Sequence, residues 1–244
     1  MDDFPDDIII DYDLFYKALK KNNQLHKEYS KKYQFLGSGK FIKAYLDKET
    51  NTVLKVFRLD VLMDHEHSKT ISEDAIYFFN EMISPVLNNK KKLEKYLRTY
   101  IWKSSLDWAE FCFKNANSNK HIPVVYDIEY DTEHFAYIIK TERLVHANKL
   151  KMPEIYKFLD NLSDCFYYHK NYDDKFSKYF SPYHFDMSPD KFKRYLCMVD
   201  YKEIKEISHK LKRKFKNYTV DLHSRNYMFR NIDEPVLIIN DPIY

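Results

Sequence analysis

Leu36-Gly37-Ser38-Gly39-Lys40-Phe41, with Lys55 following in the apolar run Val53-Leu54-Lys55-Val56-Phe57, is the stretch from which the fold is read. Its two glycines are the only ones in 244 residues, where average usage of about 7% would place roughly 17. A backbone built almost without glycine keeps it where no side chain is tolerated, at a positive φ or where a ligand approaches the main chain. A turn with exposed N–H groups is a cradle for phosphate oxygens, and a lysine one strand later can meet them.

Working outward, three strand-like runs, Tyr33–Leu36, Phe41–Leu46 and Val53–Leu59, are joined by this glycine turn and by the polar turn Asp47-Lys48-Glu49-Thr50-Asn51, which predicts an antiparallel meander. An amphipathic helix is expected before it, over Leu14–Tyr29. Residues 60–103 are helix-prone, with Ile76, Phe79, Ile83 and Val86 at helical spacing and lysines at 90–92. A helix over Ser104–Lys114 and strands over Val124–Tyr130 and Phe135–Thr141 follow. Beyond a boundary at Glu142–Leu150 the pattern turns helical: a start at Met152-Pro153-Glu154 with proline in the first turn, another at Ser188-Pro189-Asp190, and a third helix over Asp200–Lys216. Short strands close the chain at Tyr218–Val220, Tyr227–Arg230 and Pro235–Ile239.

Composition narrows the function classes. Forty Lys+Arg against 37 Asp+Glu leave +3, which is no electrostatic footprint of a nucleic-acid or membrane-surface binder. Hydrophobic residues at 44% suffice for the core of one large domain or two lobes. Cys112, Cys165 and Cys197 are odd in number and lack a C-x-x-C pair, so they read as ordinary thiols of a reducing compartment. The N-terminal run Met1–Asp7 is acidic where a signal peptide needs positive charge, and no apolar stretch approaches the roughly 18 residues of a membrane span. A cytoplasmic protein is expected. His65-Glu66-His67 lacks the spacing of a helical zinc pair, and the basic run Lys210–Lys216 reads as a solvated helix end.

The chemistry concentrates in Asp221-Leu222-His223-Ser224-Arg225-Asn226 and in Asp241 at the end of an apolar strand. Phosphoryl transfer needs an oxygen acceptor beside the attacking hydroxyl and hard oxygen ligands for Mg²⁺, and Asp221, Asn226 and Asp241 are that set of groups. Together with the glycine turn and Lys55, in this order along the chain, these residues resemble a protein-kinase-fold phosphotransferase. Leu36–Phe41 with Ala44-Tyr45 resembles the glycine-rich loop, Val53-Leu54-Lys55-Val56 the third-strand lysine motif, and Asp221–Asn226 the catalytic loop. More narrowly, the run from Tyr33 to Asp241 is similar to the small early Ser/Thr protein kinases of tailed bacteriophages, in the string Ile122-Pro123-Val124-Val125-Tyr126-Asp127 and in Asp221–Phe229 ahead of Asp241-Pro242.

The resemblance implies an α+β, two-lobed minimal kinase-like fold: an N-terminal helical extension over 1–32, a five-stranded antiparallel lobe over 33–144 with a helical insertion near 60–103, and a mostly helical lobe over 145–244. It implies ATP and Mg²⁺ as cofactors. Lys55 would contact the α- and β-phosphates, Gly37, Ser38 and Gly39 would cover the phosphates, and Glu142 to Leu144 would be the adenine-binding hinge. Asp221 would orient the acceptor hydroxyl, Asn226 and Asp241 would hold Mg²⁺, and Glu110 would pair with Lys55, with Glu73 as its rival.

The departures from the family pattern keep the substrate open. Ile42 replaces the third loop glycine, Thr219 and Val220 replace the His-Arg before the catalytic Asp, and only three residues follow Asp241, so no activation segment or peptide-docking platform is expected. His223 stands where the usual loop has a phosphate-contacting lysine, as in aminoglycoside and choline kinases. A protein kinase acting on Ser/Thr hydroxyls of host proteins is the leading expectation. A small-molecule phosphotransferase and a nucleotide-binding pseudokinase are the alternatives.

Overall fold

Alternation along Thr52–Phe57 decides how the first part of the chain is layered. In the computed structural model, which describes residues 12–60, 91, 94–95, 97–172 and 175–243, this segment is a strand whose residues are buried except for a half-buried Lys55. Leu54 and Val56 share one face with Tyr45 and Ala136, and the helix α1 (Tyr12–Lys32) packs Leu25 and Tyr29 onto that face. Lys55, between them in sequence, projects to the opposite face.

The chain divides into two compact units, Met1–Lys103 with Tyr126–Thr141, and Ser104–Val125 with Glu142–Tyr244. The first is built on β1 (Gln34–Ser38), β2 (Ile42–Asp47), β3 (Thr52–Phe57), β4 (Val125–Asp131) and β5 (Ala136–Glu142), in the sheet order β1-β2-β3-β5-β4. The sheet is antiparallel, as expected. Asn22 of α1 is fully buried and acts as a bracket: its Nδ2 donates to the carbonyls of Phe57, His134 and Phe135, and its Oδ1 accepts from Leu59 N at 3.0 Å. One side chain thus satisfies the end of β3 and the β4–β5 turn, groups that would be costly to bury unpaired.

With so little glycine, left-handed backbone falls to other residues: Asn51, Phe135, Glu154 and Asp186. Asn51 closes the β2–β3 turn, where Asp47 accepts from the amides of Glu49 and Thr50. Glu154 corrects the expected helix start. With φ of 61° it interrupts the α region, so Pro153 lies ahead of the helix and not in its first turn.

That helix, which follows α2 (Lys103–Asn115), is α3 (Ile155–Tyr172). It buries Phe158, Leu159, Leu162 and Phe166 and packs on a later helix, α6 (Tyr201–Lys214), through Ile204, Ile207 and Leu211. Between them lie the single-turn α4 (Phe176–Tyr179) and α5 (Pro189–Leu196). The starts of α5 and α6 fall where sequence places them, because Ser188 accepts from Lys191 N with proline at the first helical position, and Asp200 accepts from Lys202 N and Glu203 N. A three-stranded sheet, β6 (Val145–His146), β7 (Tyr227–Phe229) and β8 (Leu237–Ile239), completes this unit. β6 was not expected, and the strand expected at Tyr218–Val220 is reduced to one bridge between Val220 and Ile243. None of the three cysteines is in a disulfide. Among the described residues no helix is long and apolar enough to cross a membrane. Ile76, Phe79, Ile83, Val86, Glu73 and the His65-Glu66-His67 triplet lie outside the described residues.

Candidate functional site

Register places the first group of residues. Gly37 pairs with Ala44, and Ala44 pairs with Lys55, so the three stand in one row across β1, β2 and β3. Cross-strand partners project to the same face, and at about 4.8 Å per strand Gly37 and Lys55 lie roughly 10 Å apart with only a methyl group between them. A bulge contributes to this alignment: β1 advances two residues from Phe35 to Gly37 while β2 advances one from Tyr45 to Ala44, which leaves Leu36 unpaired and exposed.

The glycines themselves correct one expectation. Neither has a positive φ. A β-carbon at Gly37 would meet nothing within 4 Å, and one at Gly39 would meet only the Ile42 carbonyl at 3.8 Å. Among the described residues, then, no atom of the chain forbids a side chain at either position. The N–H of Gly39 is also committed, donating to Ile42 O at 2.8 Å across the hairpin tip.

In the second unit the loop 221–226 is fixed by a short hydrogen-bonded network. Asp221 N donates to Pro242 O at 3.0 Å, next to the Val220–Ile243 bridge. Asn226 Nδ2 donates to the Asp221 carbonyl, and Asn240 N donates to Asn226 O at 2.9 Å. These bonds draw Asp221, Asn226 and Asp241 onto two adjoining chain segments. The bond from Nδ2 to the Asp221 carbonyl fixes the Asn226 amide, whose Oδ1 is the side chain's one acceptor and a hard oxygen. The Asp221 side chain is exposed and makes no hydrogen bond among the described residues.

The turn between them is a short 3₁₀ helix, Ser224–Asn226, capped by His223, whose Nδ1 accepts from Arg225 N at 3.2 Å. With Nδ1 an acceptor, the ring proton of neutral His223 sits on Nε2. Ser224 N donates to Asp160 of α3.

Two neighbours in sequence on α2 hold the segments leading into the acids. Trp108 Nε1 donates to Asn240 O at 2.9 Å, and the Tyr218 hydroxyl donates to Asp107. Burial and then the Asp107 carboxylate raise the Tyr218 phenol pKa, so it remains a donor. Lys170 donates in turn to the Tyr218 carbonyl. Glu110 lies on this helix, in the second unit, and Lys55 in the first.

Glu142 has structural work. Arg230 meets its carboxylate with Nε and Nη2, both at 2.7 Å, and reaches the carbonyls of Lys120 and Ile122. Val124 N donates to Glu142 Oε1, and Glu142 N donates to Val124 O. Any part of Glu142 in an adenine contact is thereby confined to its carbonyl, with Leu144, half-buried, further along the same segment.

Arg230, Trp108, Asp107 and Tyr218 were not singled out by sequence reasoning. Their partners are distant in the chain, and no local pattern marks them. Among the described residues no group of three or more His, Cys, Asp or Glu is placed to hold a metal ion. The donor set at the loop is instead one carboxylate and one amide oxygen, which suits Mg²⁺ shared with substrate phosphates, since that ion takes one or two carboxylates and fills its shell with phosphate oxygens and water. No protein-family model and no curated protein sequence matches this chain.

Proposed function

We propose that the protein is an ATP- and Mg²⁺-dependent phosphotransferase of minimal protein-kinase-like fold that acts on Ser/Thr hydroxyls of proteins. The observation that supports the reading is the set of bonds Asn226 Nδ2 to Asp221 O, Asp221 N to Pro242 O and Asn240 N to Asn226 O, which brings the segments carrying Asp221, Asn226 and Asp241 side by side. Within the first unit, the row Gly37–Ala44–Lys55 is a small-residue face with a cation at its end, which suits a phosphate-bearing ligand.

In this reading Lys55 bears the α- and β-phosphate charge, and Gly37, Ser38 and Gly39 cover the phosphates. Asp221 accepts or orients the hydroxyl proton, with no competing hydrogen bond among the described residues to turn it away. Asn226 through Oδ1 and Asp241 through its carboxylate hold Mg²⁺, which when bound neutralises charge on the phosphates. Glu142 and Leu144 are the proposed adenine segment. Catalysis is then positioning plus electrostatic stabilisation.

A small-alcohol substrate is the second reading, favoured by His223, whose Nε2–H is a donor in the catalytic loop. Transfer of labelled γ-phosphate from ATP to a bacterial lysate and to a panel of small alcohols separates the two. Label on protein supports the first and label on a small molecule the second. ATP binding without transfer to either makes the chain a nucleotide-binding module.

A further inference from the structure

The glycine hairpin is held by a residue outside the motif. Arg58 follows β3, and its Nε and Nη2 make a two-pronged ion pair with Asp60 at 2.7 and 2.9 Å. The remaining nitrogen, Nη1, donates to Ser38 Oγ at 3.0 Å and to Gly39 O at 2.9 Å. Ser38 Oγ donates to Gly39 O as well, and Arg58 N donates to Phe41 O at 2.8 Å. Four of the five guanidinium N–H groups are thus placed, and because the fork is planar and rigid, the Asp60 pair dictates where Nη1 points. The Arg58 side chain is only 14% exposed and its pair with Asp60 is part-buried, while the charge-assisted bonds to Ser38 and Gly39 lie at the exposed hairpin tip. Burial works to raise the Asp60 pKa, yet the Arg58 hydrogen bonds and charge leave it below the usual carboxylate range, which keeps the pair ionised near neutrality.

We propose that Arg58 is a positioning residue that fixes the conformation of the Gly37–Gly39 hairpin and thereby sets the affinity for nucleotide triphosphate. The link to nucleotide rests on the phosphotransferase reading; the clamp itself does not. Since Arg58 binds the Gly39 carbonyl and the peptide is trans, the clamp also fixes the orientation of the peptide plane between Gly39 and Lys40. A hairpin with two glycines and an exposed tip has high conformational entropy to lose, and a clamp bearing it in the nucleotide-free protein lowers the cost of binding.

The test uses the full chain as wild type, Arg58→Ala, Arg58→Lys and Asp60→Asn. Amide hydrogen exchange without nucleotide reads the clamp. Gly39 N–H should exchange about tenfold faster or more in Arg58→Ala, the size of losing a charge-assisted hydrogen bond. Asp60→Asn should fall between wild type and Arg58→Ala. Arg58→Lys should resemble Arg58→Ala, because an ammonium on a flexible stem lacks the fork. Exchange unchanged in Arg58→Ala, or fully restored by lysine, overturns the clamp. Titration with MgATP reads the consequence: KM for ATP should rise about tenfold in Arg58→Ala with kcat within about threefold. A fall in kcat at constant KM overturns the positioning role. If wild type fails to bind ATP at all, the phosphotransferase reading falls, and the exchange result still decides the clamp.

Discussion

Replacing Gly37 by alanine separates a glycine kept for the fold from one kept for a ligand. Gly37 lies in β1 without a positive φ, and a β-carbon there meets nothing within 4 Å. At such a position alanine stabilises by about 0.4–1 kcal/mol, chiefly by reducing the freedom of the unfolded chain. For a chain of this size that is a rise in Tm of roughly 1–4 °C. The added methyl would project from the same face as Lys55, because both pair with Ala44. A phosphate group lying along that row would meet it, and MgATP affinity should fall about tenfold or more, the scale of losing one or two backbone contacts to a charged ligand. Thermal melting and MgATP titration on one preparation check both halves. A drop in Tm would make Gly37 a structural glycine. Unchanged affinity in a stabilised variant would remove nucleotide from this face.

Other perturbations read the supports. Asn22→Leu, close in volume, leaves Leu59 N–H and three carbonyls without their partner, and should cost about 3 kcal/mol or more in urea unfolding; a cost under about 1 kcal/mol would refute the bracket. Trp108→Phe keeps an aromatic ring against Phe111 and Phe215 but removes the donor to Asn240, so stability should drop by about 1 kcal/mol and turnover several-fold more than substrate binding; unaltered turnover would show that α2 does not position Asp241. His26 is held near pKa 4, first by burial and then by the Lys43 charge. Its folded pKa is below the unfolded 6.5, so the unfolded chain binds more protons between pH 6.5 and 4, and stability should fall as pH drops through that window by up to about 3 kcal/mol. His26→Gln should flatten that part of the pH profile, and an unchanged slope would assign it elsewhere.

Much of the architecture is encoded locally and was therefore legible. The β1–β3 meander follows from alternation and from the Asp47–Asn51 turn, and the helix starts at Ser188 and Asp200 follow from side chains that bond the first free amides. Pro153 misled because proline marks a helix start only when the next residue enters the α region, and Glu154 does not. β6 has two residues, too few for any period to show. At the candidate site the residue types at 37, 39, 55, 221, 226 and 241 stood out. Of the two properties expected of the glycines, a positive φ is absent at both, and close approach of a ligand is the one the Gly37→Ala variant tests. The brackets Arg58–Asp60, Arg230–Glu142 and Trp108–Asn240 were illegible for a common reason: each acts on backbone atoms, whose positions depend on the completed fold.

The central claim is phosphoryl transfer by the loop 221–226, and the most direct measurement is transfer of labelled γ-phosphate from MgATP to protein by the wild type beside Asp221→Asn. Asparagine preserves the size of the side chain and the backbone bonds to Asn226 and Pro242 while removing the proton acceptor. Transfer by the wild type that falls about 10²- to 10⁴-fold in the variant is the expected result. Equal transfer by both proteins would contradict it.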